Sequence, residues 1–388
     1  MTISCAQLLS WMIDVKILFG KNPLRTVGLM SGTSMDGLDI CLAENKFENE
    51  GLSYRILGMK TVPFPEELKN KIRTALTGTV KQIGPFHYEL GEYFADETAR
   101  FIQESGVTQI DAVGMHGQTI FHQNKKATLQ IGEPSFLVKE LCIPVVSDFR
   151  ARDISEGGTG APLIPIVDKW LFQNESEGII CLNLGGIANI TCLPPKSYGE
   201  EIMGFDTGPG MALLDEVFRQ NGDDPFDENG EMALRGTPDL TLVDSWIKDE
   251  FITSSPPKST GRDCYGKSWI KNHAGELEKI PLEDQLASLS FFTAKSIYVN
   301  CASILGTHNV KSIIASGGGI HHSAVLKYLN RQFNPVPVKS IAEYGIDPDL
   351  KEAFGFSLLA AAYFNGIPAN ISSVTGADKE VILGKLTI

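Results

Sequence analysis

The stretch Gly28–Asp39, GLMSGTSMDGLD, places three glycines and three hydroxyl side chains between two apolar segments. A plain hairpin turn needs only about two special residues, and glycine loses the most conformational entropy on ordering. The flanking segments, RTVGLMSG and LDICLAEN, are typical of two strands joined by this bend, and SYRILGMKTVPF predicts a third. So polar a bend inside a hairpin indicates a loop that holds a ligand.

The pattern continues into helices and then recurs. Pro65 marks the start of one helix, and a second has apolar residues at helical spacing up to Gly106. The segment QIDAVGMHGQT predicts a buried strand that runs into a loop. GIICLNLGGIANITCLP, from Gly178 to Pro194, is again strand, glycine turn and strand, and GFDTGPG and SGGGIHH each join a strand to a helix. Two hairpins of one design, each heading its own α/β half, predict a duplicated architecture.

Composition restricts the class of protein. The 388 residues suffice for two or three domains, and the net charge of −13 argues against a nucleic-acid-binding surface. The seven cysteines form no CxxC pair, which fits a reducing cytoplasm. Asp14 and Lys16 interrupt the apolar start, so neither a signal peptide nor a membrane span is expected there. We interpret residues 1–24 as an extension that packs on the body or frays.

The glycine turns have the composition of phosphate cradles. Backbone N–H groups freed by glycine, together with Ser and Thr hydroxyls, bind phosphate oxygens. Gly32, Thr33, Ser34 and Gly37 can form such a cradle in the first bend. A carboxylate repels phosphate, so Asp36 is expected to hold Mg²⁺ through water. A purely structural turn is the alternative, but four such turns in one chain weigh against it.

GRDCYGKS, Gly261 to Ser268, matches the P-loop formula letter for letter. A P-loop follows a buried strand, whereas TSSPPKST precedes this stretch. We therefore interpret the match as chance, and the loop as a polar one with positive charge near a ligand.

Asp206 is the strongest candidate for a catalytic carboxylate. It ends the apolar run IMGFD before TGPG and a helix, which places it at the carboxyl end of a strand, where α/β sheets bind ligands. There it can act as a general base, although capping of the following helix is an alternative role. Asp148, Asp153 and Glu352 are further acid candidates. His116, between a strand and a glycine, is a candidate substrate contact.

Taken in order, these blocks resemble the anhydro-N-acetylmuramic acid kinase family. The resemblance begins near residue 26, extends to the C-terminus and rests on the following motifs: GLMSGTSMDGLD, GMHGQTIFH, LQIGEPSFL, VSDFRARDISEGGTGAPLIP, NLGGIANIT, GFDTGPG, PPKSTGR, SGGGIHH, KEAFGFSLLA and SVTGA.

The resemblance implies a fold and an activity. The fold is that of actin, Hsp70 and hexokinase: two duplicated ribonuclease H-like α/β lobes with an ATP cleft between them. We expect lobe I at 25–148, with 355–388 returning to it, and lobe II at 149–354. The implied reaction uses ATP and water to open 1,6-anhydro-N-acetylmuramic acid and to phosphorylate O6. The product is N-acetylmuramic acid 6-phosphate, and the role is recycling of peptidoglycan sugar in the bacterial cytoplasm.

The resemblance also implies roles for residues. Asp206 is the general base that activates the attacking water and also contacts the sugar. His116, Arg150 and Glu352 line the sugar pocket. Asp36 lies near Mg²⁺. The ATP-binding turns comprise Gly32, Thr33, Ser34, Asp36 and Gly37 in the first hairpin, Asn183, Gly185, Gly186 and Asn189 in the second, and Gly317, Gly318 and Gly319 at the adenosine site.

Other functions stay open on the sequence. The family usually has Gln at the position of Thr159 and Asn at that of Met211, so a kinase for levoglucosan, a 1,6-anhydrosugar without N-acetyl and lactyl groups, is an alternative. A non-catalytic nucleotide-binding sensor is another. The partners expected are ATP and a small sugar, with neither nucleic acid nor membrane, and a homodimer is one possible assembly.

Overall fold

The structure is a computed structural model that describes residues 15–32, 35–48, 51–222 and 224–388. The chain divides into two compact units. The first runs to Leu171 and resumes at Leu350–Ile388, and the second is Phe172–Asp349. Each unit contains one mixed β-sheet with packed helices, so the α/β class predicted from the sequence is confirmed.

The strands are numbered along the chain. Those of the first unit are β1 Leu24–Ser31, β2 Gly37–Glu48, β3 Gly51–Pro63, β4 Ala112–Gln123, β5 Ala127–Ile131, β6 Val145–Ser147 and β12 Lys385–Thr387. Those of the second are β7 Gly178–Leu184, β8 Ile187–Leu193, β9 Met203–Pro209, β10 Val310–Ser316 and β11 Val338–Ser340.

The helices are numbered in the same way. They are α1 Glu66–Ala75, α2 Val80–Ser105, α3 Ser135–Leu141, α4 Phe149–Ser155, α5 Ile164–Phe172, α6 Ala212–Asn221, α7 Glu231–Arg235, α8 Leu240–Trp246, α9 Glu250–Thr253, α10 Lys267–Leu277, α11 Leu282–Thr307, α12 Ser323–Phe333, α13 Lys351–Phe364 and α14 Ser372–Thr375. The two predicted early helices are confirmed: Pro65 precedes α1, and Gly106 ends α2 in the left-handed region at φ 68°. Helix α2 begins earlier than predicted, at a Thr79–Gln82 capping box.

The two sheets share one topology. The first has the order β12-β6-β4-β1-β2-β3 with β5 on β4, and the second has β11-β10-β7-β8-β9. In both, the first three strands form an antiparallel meander, and the next two central strands run parallel to the first. The same order and the same directions in both sheets confirm the duplication that the two hairpins predicted.

Helix α13 packs directly on the first sheet through two strand glycines. A Cβ at Gly28 would lie 1.9 Å from the Ala353 carbonyl oxygen, and one at Gly114 would lie 2.1 Å from that of Phe356. Any larger residue would push the helix off the sheet. This close approach fixes the N-terminal end of α13, which carries Glu352.

The compact units differ from the predicted lobes at both boundaries. Residues 149–171, expected in lobe II, belong to the first unit, as do residues 350–354. Helix α5 explains the first difference, because Ile164 and Val167 pack on α13 at Gly355 and Asp168 pairs with Lys351 at 2.6 Å. These are contacts between segments nearly 190 residues apart, so local sequence patterns do not reveal them.

Part of the predicted N-terminal extension packs on the first unit. Val15 and Leu18 are buried, and the Phe19 ring meets Phe364 edge-on at 5.3 Å. The Gly20 N–H donates to the Phe364 carbonyl at 2.9 Å. Residues 1–14 lie outside the described residues. Among the helices described, we find none with the length and apolar character that crossing a bilayer requires.

Candidate functional site: two sets of glycine turns and two carboxylates

The first glycine bend joins β1 to β2, and Met30 and Asp39 are the last paired residues before it. Thr33 and Ser34, two of the predicted cradle residues, lie outside the described residues. Met35 has φ 60°, and its N–H donates to the Gly32 carbonyl at 3.2 Å. A Cβ at Gly37 would lie 2.5 Å from the Val62 carbonyl oxygen. Gly37 is therefore required for pairing of β2 with β3, whatever it contributes to a ligand.

Gln118 joins this bend to the neighbouring strand, and sequence reasoning missed it. The Ser31 hydroxyl donates to Gln118 Oε1, and Gln118 Nε2 donates to the Gly32 carbonyl at 3.3 Å. The parallel pairing of β1 with β4 sets Ser31 opposite Gln118. A signal was available in the motif GMHGQT, where a polar residue sits in a buried strand, but its partner is 87 residues away.

In the first unit, the buried His116 pairs with the half-buried Arg150. His116 Nδ1–H donates to the Gly117 carbonyl at 2.8 Å, and Nε2 accepts from Arg150 Nε–H at 3.0 Å. Arg150 Nη1 also donates to the Gly160 carbonyl at 2.9 Å. Burial, with the Arg150 charge adding to it, holds the pKa of His116 well below its usual value. The imidazole is therefore neutral, with its proton on Nδ1.

Glu352 lies in the first turn of α13 and interacts electrostatically with Arg150. Burial raises the pKa of Glu352, while the charges of Arg150 and Lys351 act in the opposite direction. Burial lowers the pKa of Arg150, which Glu352 and Asp153 oppose. The structure thus brings together His116, Arg150 and Glu352, the three residues that the sequence assigned to one sugar pocket.

Three glycine turns of the second unit meet at one edge of its sheet. Two carbonyl groups of the turn after β7 accept hydrogen bonds from the turn after β9. The Gly210 N–H donates to the Gly186 carbonyl and the Met211 N–H to the Gly185 carbonyl, both at 2.9 Å. A Cβ at Gly210 would lie 2.2 Å from the Gly185 carbonyl oxygen. Strands β7, β9 and β10 run in the same direction, so their carboxyl ends share this edge.

The turn after β10 is the third of these. Gly317 has φ 85°, and a Cβ there would lie 2.7 Å from Asn183 Oδ1 and 2.9 Å from the Leu184 carbonyl oxygen. His322 follows the turn and caps α12, because its Nδ1 accepts a hydrogen bond from the Val325 N–H at 3.3 Å. The space at Gly317 is therefore too small for a side chain. A loop that binds a ligand through its backbone N–H groups needs glycine at such positions.

Asp206 lies in the middle of β9, opposite Asn189 of β8, and not at the carboxyl end of the strand as predicted, because the strand continues through the glycine-containing segment to Pro209. Its Oδ2 accepts from the Ser259 hydroxyl and from the Thr260 N–H, both at 2.9 Å. Burial raises the pKa of Asp206, and the two hydrogen bonds counteract that rise. Among the described residues, the hydrogen-bond donors to this carboxylate are Ser259 and Thr260, and no side chain caps α6 at Met211. The alternative capping role is therefore not the one it has.

The P-loop-like stretch has the polar loop role expected of it. Residues 254–266 contain no strand and no helix. Lys258 Nζ donates to the carbonyls of Phe251 and Ile252, whereas Ser259 and Thr260 hold Asp206. A Cβ at Gly186 would lie 2.7 Å from Arg262 Nε, which places a cation against the second glycine turn.

The donor set for a metal is sparse. Within residues 15–32, 35–48, 51–222 and 224–388, no three His, Cys, Asp or Glu side chains cluster as a protein-made metal site needs. Asp36 is exposed, beside the first glycine turn. A single exposed carboxylate fits Mg²⁺ of the kind that keeps most of its waters and is shared with phosphates.

Two sheets of one topology, each headed by a glycine hairpin, define the class: the duplicated ribonuclease H-like fold of actin, Hsp70 and the sugar kinases. A family model described as anhydro-N-acetylmuramic acid kinase matches residues 24–388. Two curated relatives bear that same name. One, from Salinibacter ruber, is 36% identical over 97% of this chain and 99% of its own. The other, from Caldanaerobacter subterraneus, is 35% identical over 96% and 98%.

Among solved structures, the activator of the 2-hydroxyisocaproyl-CoA dehydratase from Clostridium difficile with bound ADPNP aligns at a TM-score of 0.44 and 14% identity, over 88% of this chain and 96% of its own. The sequence matches show the family. This chain belongs to the anhydro-N-acetylmuramic acid kinase family and is an enzyme of the sugar-kinase class, as its motifs predicted.

Proposed function

We propose that this protein converts 1,6-anhydro-N-acetylmuramic acid, ATP and water into N-acetylmuramic acid 6-phosphate and ADP. The observation that carries the proposal is the Asp206 carboxylate, held by two hydrogen bonds in the same unit as the glycine turns. Family membership supports the substrate, since the relatives are named for it. The reaction would serve the reuse of peptidoglycan sugar in the cytoplasm.

Asp206 is the general base in this proposal. Its Oδ2 accepts hydrogen bonds from Ser259 and Thr260, whereas Oδ1 accepts none from the described residues. Oδ1 takes a proton from water as the water oxygen bonds to C1 of the sugar. The C1–O6 bond breaks, O6 bonds to the γ-phosphorus, and ADP leaves. A raised pKa makes the carboxylate a better proton acceptor at neutral pH.

The sugar is bound by His116, Arg150 and Glu352 in this proposal. Arg150 uses one N–H on His116 and one on Gly160, so three of its five N–H groups remain for oxygen atoms of a ligand. His116 and Gly160 are neutral acceptors, and the charge of Arg150 also interacts with Glu352 and Asp153. The remaining N–H groups can donate charge-assisted hydrogen bonds to oxygen atoms of the sugar. Glu352 supplies a carboxyl group that accepts from sugar hydroxyls.

The phosphates of ATP are bound by backbone N–H groups of the glycine turns. The residues proposed are Gly32, Thr33, Ser34 and Gly37, then Asn183, Gly185, Gly186 and Asn189, with Gly317, Gly318 and Gly319 at the adenosine. Arg262, packed against Gly186, adds a positive charge there. Asp36 would hold Mg²⁺ through water, and the ion would neutralise charge on the phosphates.

The test uses purified protein with ATP and Mg²⁺, and compares 1,6-anhydro-N-acetylmuramic acid with levoglucosan in ¹⁸O-labelled water. We expect turnover of the first sugar, with ¹⁸O at C1 of a 6-phosphate. Turnover of levoglucosan alone would overturn the proposed substrate and make Thr159 and Met211 the residues to explain. ATP binding without turnover of either sugar would favour the non-catalytic sensor.

A further inference from the structure

Asp153 is a fully buried carboxylate in the first unit that the proposed reaction does not use. Its Oδ2 accepts from the Gly160 N–H at 2.8 Å. Its Oδ1 accepts from Asn370 Nδ2 at 2.8 Å and from the Thr375 hydroxyl at 2.7 Å. No Lys or Arg of the described chain forms an ion pair with it within 4.0 Å. Arg150 interacts with Asp153 only at a distance, and burying a carboxylate without a direct ion pair is costly, so a carboxylate kept there needs a reason.

The Gly160 peptide connects Asp153 to Arg150. Its N–H donates to Asp153, and its carbonyl accepts from Arg150 Nη1 at 2.9 Å. Gly160 has φ 76°, and a Cβ at the nearby Gly158 would lie 2.2 Å from Asp153 Oδ2. The loop at 156–161 therefore packs closely on the Asp153 carboxylate, and Gly160 is held through its N–H by Asp153 and through its carbonyl by Arg150.

The C-terminal segment supplies the other half of this arrangement. Asn370 and Thr375 lie more than 200 residues after Asp153 in the chain. The Thr159 N–H donates to the Thr375 carbonyl at 2.9 Å, and the Asp378 N–H donates to the Glu156 carbonyl at 2.7 Å. The loop at 156–161 is thus fastened along its length to residues 370–378.

From these contacts we propose that Asp153 is a positioning residue for sugar binding: with Asn370 and Thr375 it fixes the Gly160 peptide, which in turn fixes the guanidinium of Arg150. The continuous chain of hydrogen bonds runs from Thr375 through Asp153 and Gly160 to Arg150 and His116. This role rests on the proposed function in so far as Arg150 contacts the sugar.

The first measurement needs no substrate. Phenylglyoxal modifies exposed arginine side chains, and mass spectrometry of the peptide around residue 150 reports Arg150 and Arg152 separately. Arg152, ion-paired with Glu156 on the same helix, is the internal control. In D153N, one carboxylate oxygen is replaced by an amide NH₂ group, which cannot accept the hydrogen bond that the oxygen accepted from Gly160 or from Asn370 and Thr375. We expect Arg150 to be modified several-fold faster than in the wild type, with Arg152 unchanged.

The second measurement is kinetic. We expect D153N to raise KM for the sugar about ten-fold or more, the size of losing one hydrogen bond to a charged group. KM for ATP should stay within about two-fold. T375V, which removes one donor and keeps the charge, should give a smaller change of the same kind, and T375S should restore wild-type values.

The outcomes are separable. An unchanged modification rate of Arg150 in folded D153N would overturn the positioning role. If D153N does not fold, as thermal unfolding would reveal, the same comparison of T375V with T375S decides, and equal Arg150 rates in both would overturn the role. A wild type inactive on both sugars would defeat the proposed function, while the Arg150 rates would still decide the role of Asp153.

Discussion

At the scale of single residues, the environment of each carboxylate separates its role from that of the others. Asp206 has one oxygen engaged and a raised pKa, as a base for water requires. Asp153 is closed in by three donors, so it cannot reach a substrate. Glu352 is half-buried and interacts with the Arg150 charge. The sequence singled out all three as acids, and only their hydrogen-bond partners distinguish them.

The pKa of Asp206 gives the first residue-scale prediction. The base is the ionised form, so kcat/KM falls as pH drops through the raised pKa of Asp206, above the ordinary value of about 3.9. Ser259→Ala removes a hydrogen bond that lowers this pKa, so the acid limb of the pH–rate profile should move to higher pH. Ser254→Ala, on the same loop, is the control, because the Ser254 hydroxyl donates to the Phe251 carbonyl and not to Asp206. A limb that stays in place in Ser259→Ala would argue against Asp206 as the titrating base.

At the scale of elements, local patterns predicted the hairpins and turns, and long-range packing set the rest. Strand–glycine–strand patterns need only neighbouring residues, so both hairpins, the helix end at Gly106 and the strand-to-helix turn after β10 could be predicted. The hydrogen-bond partners of Gln118 and Asp153 could not be predicted, because they lie 87 and more than 200 residues away. The extent of the first unit was missed for the same reason.

The turn after β10 gives an element-scale prediction. Gly317→Ala places a Cβ 2.7 Å from Asn183 Oδ1 at φ 85°. With ψ 161°, Gly317 lies in a region that essentially only glycine adopts and that costs other residues about 1–3 kcal/mol, so we expect the free energy of unfolding to fall by about that amount. KM for ATP should rise, because the turn can no longer hold its backbone N–H groups in place.

Gly306→Ala is the matched control for that variant. Gly306 lies in α11, and nothing would approach its Cβ within 4 Å. A helical glycine replaced by alanine gains about 0.5–1 kcal/mol of stability. Urea unfolding and ATP kinetics of both variants form the measurement. Equal ATP kinetics in Gly317→Ala and Gly306→Ala would exclude the turn from nucleotide binding.

Close packing of α13 gives a second element-scale prediction. Gly28→Ala sets a Cβ 1.9 Å from the Ala353 carbonyl, so the helix that carries Glu352 must shift. We expect a loss of roughly 1–3 kcal/mol of stability, the range for overpacking, together with weaker sugar binding. Gly51→Ala, where the added Cβ meets open space, should change neither. Thermal unfolding and sugar titration measure stability and sugar binding in both variants. Wild-type stability and sugar binding in Gly28→Ala would contradict the close packing.

At the scale of the whole molecule, the duplicated topology is what the sequence predicted most securely. Both sheets repeat the order that their glycine hairpins imply, because strand order follows from a meander and its parallel crossovers. Ligands that bind only the folded protein stabilise it by mass action, by about 2.7 kcal/mol at a hundred-fold excess over Kd. We therefore expect a non-hydrolysable ATP analogue and the anhydro sugar each to raise Tm. An absent shift with the analogue would count against the glycine turns as its site.

Catalysis by Asp206 is tested most directly by turnover of Asp206→Asn. The amide keeps an oxygen for Ser259 and Thr260 but cannot accept the proton of water. We expect kcat to fall by about 10²–10⁴-fold, the usual contribution of a general base. Binding of the ATP analogue and of the sugar, followed by calorimetry, should stay near wild type. Asp244→Asn, an exposed carboxylate paired with Lys295, makes the same change of charge and should leave kcat unaltered. Turnover by Asp206→Asn comparable to that of wild type would remove Asp206 from the base role and, with it, the hydrolytic mechanism proposed for this chain.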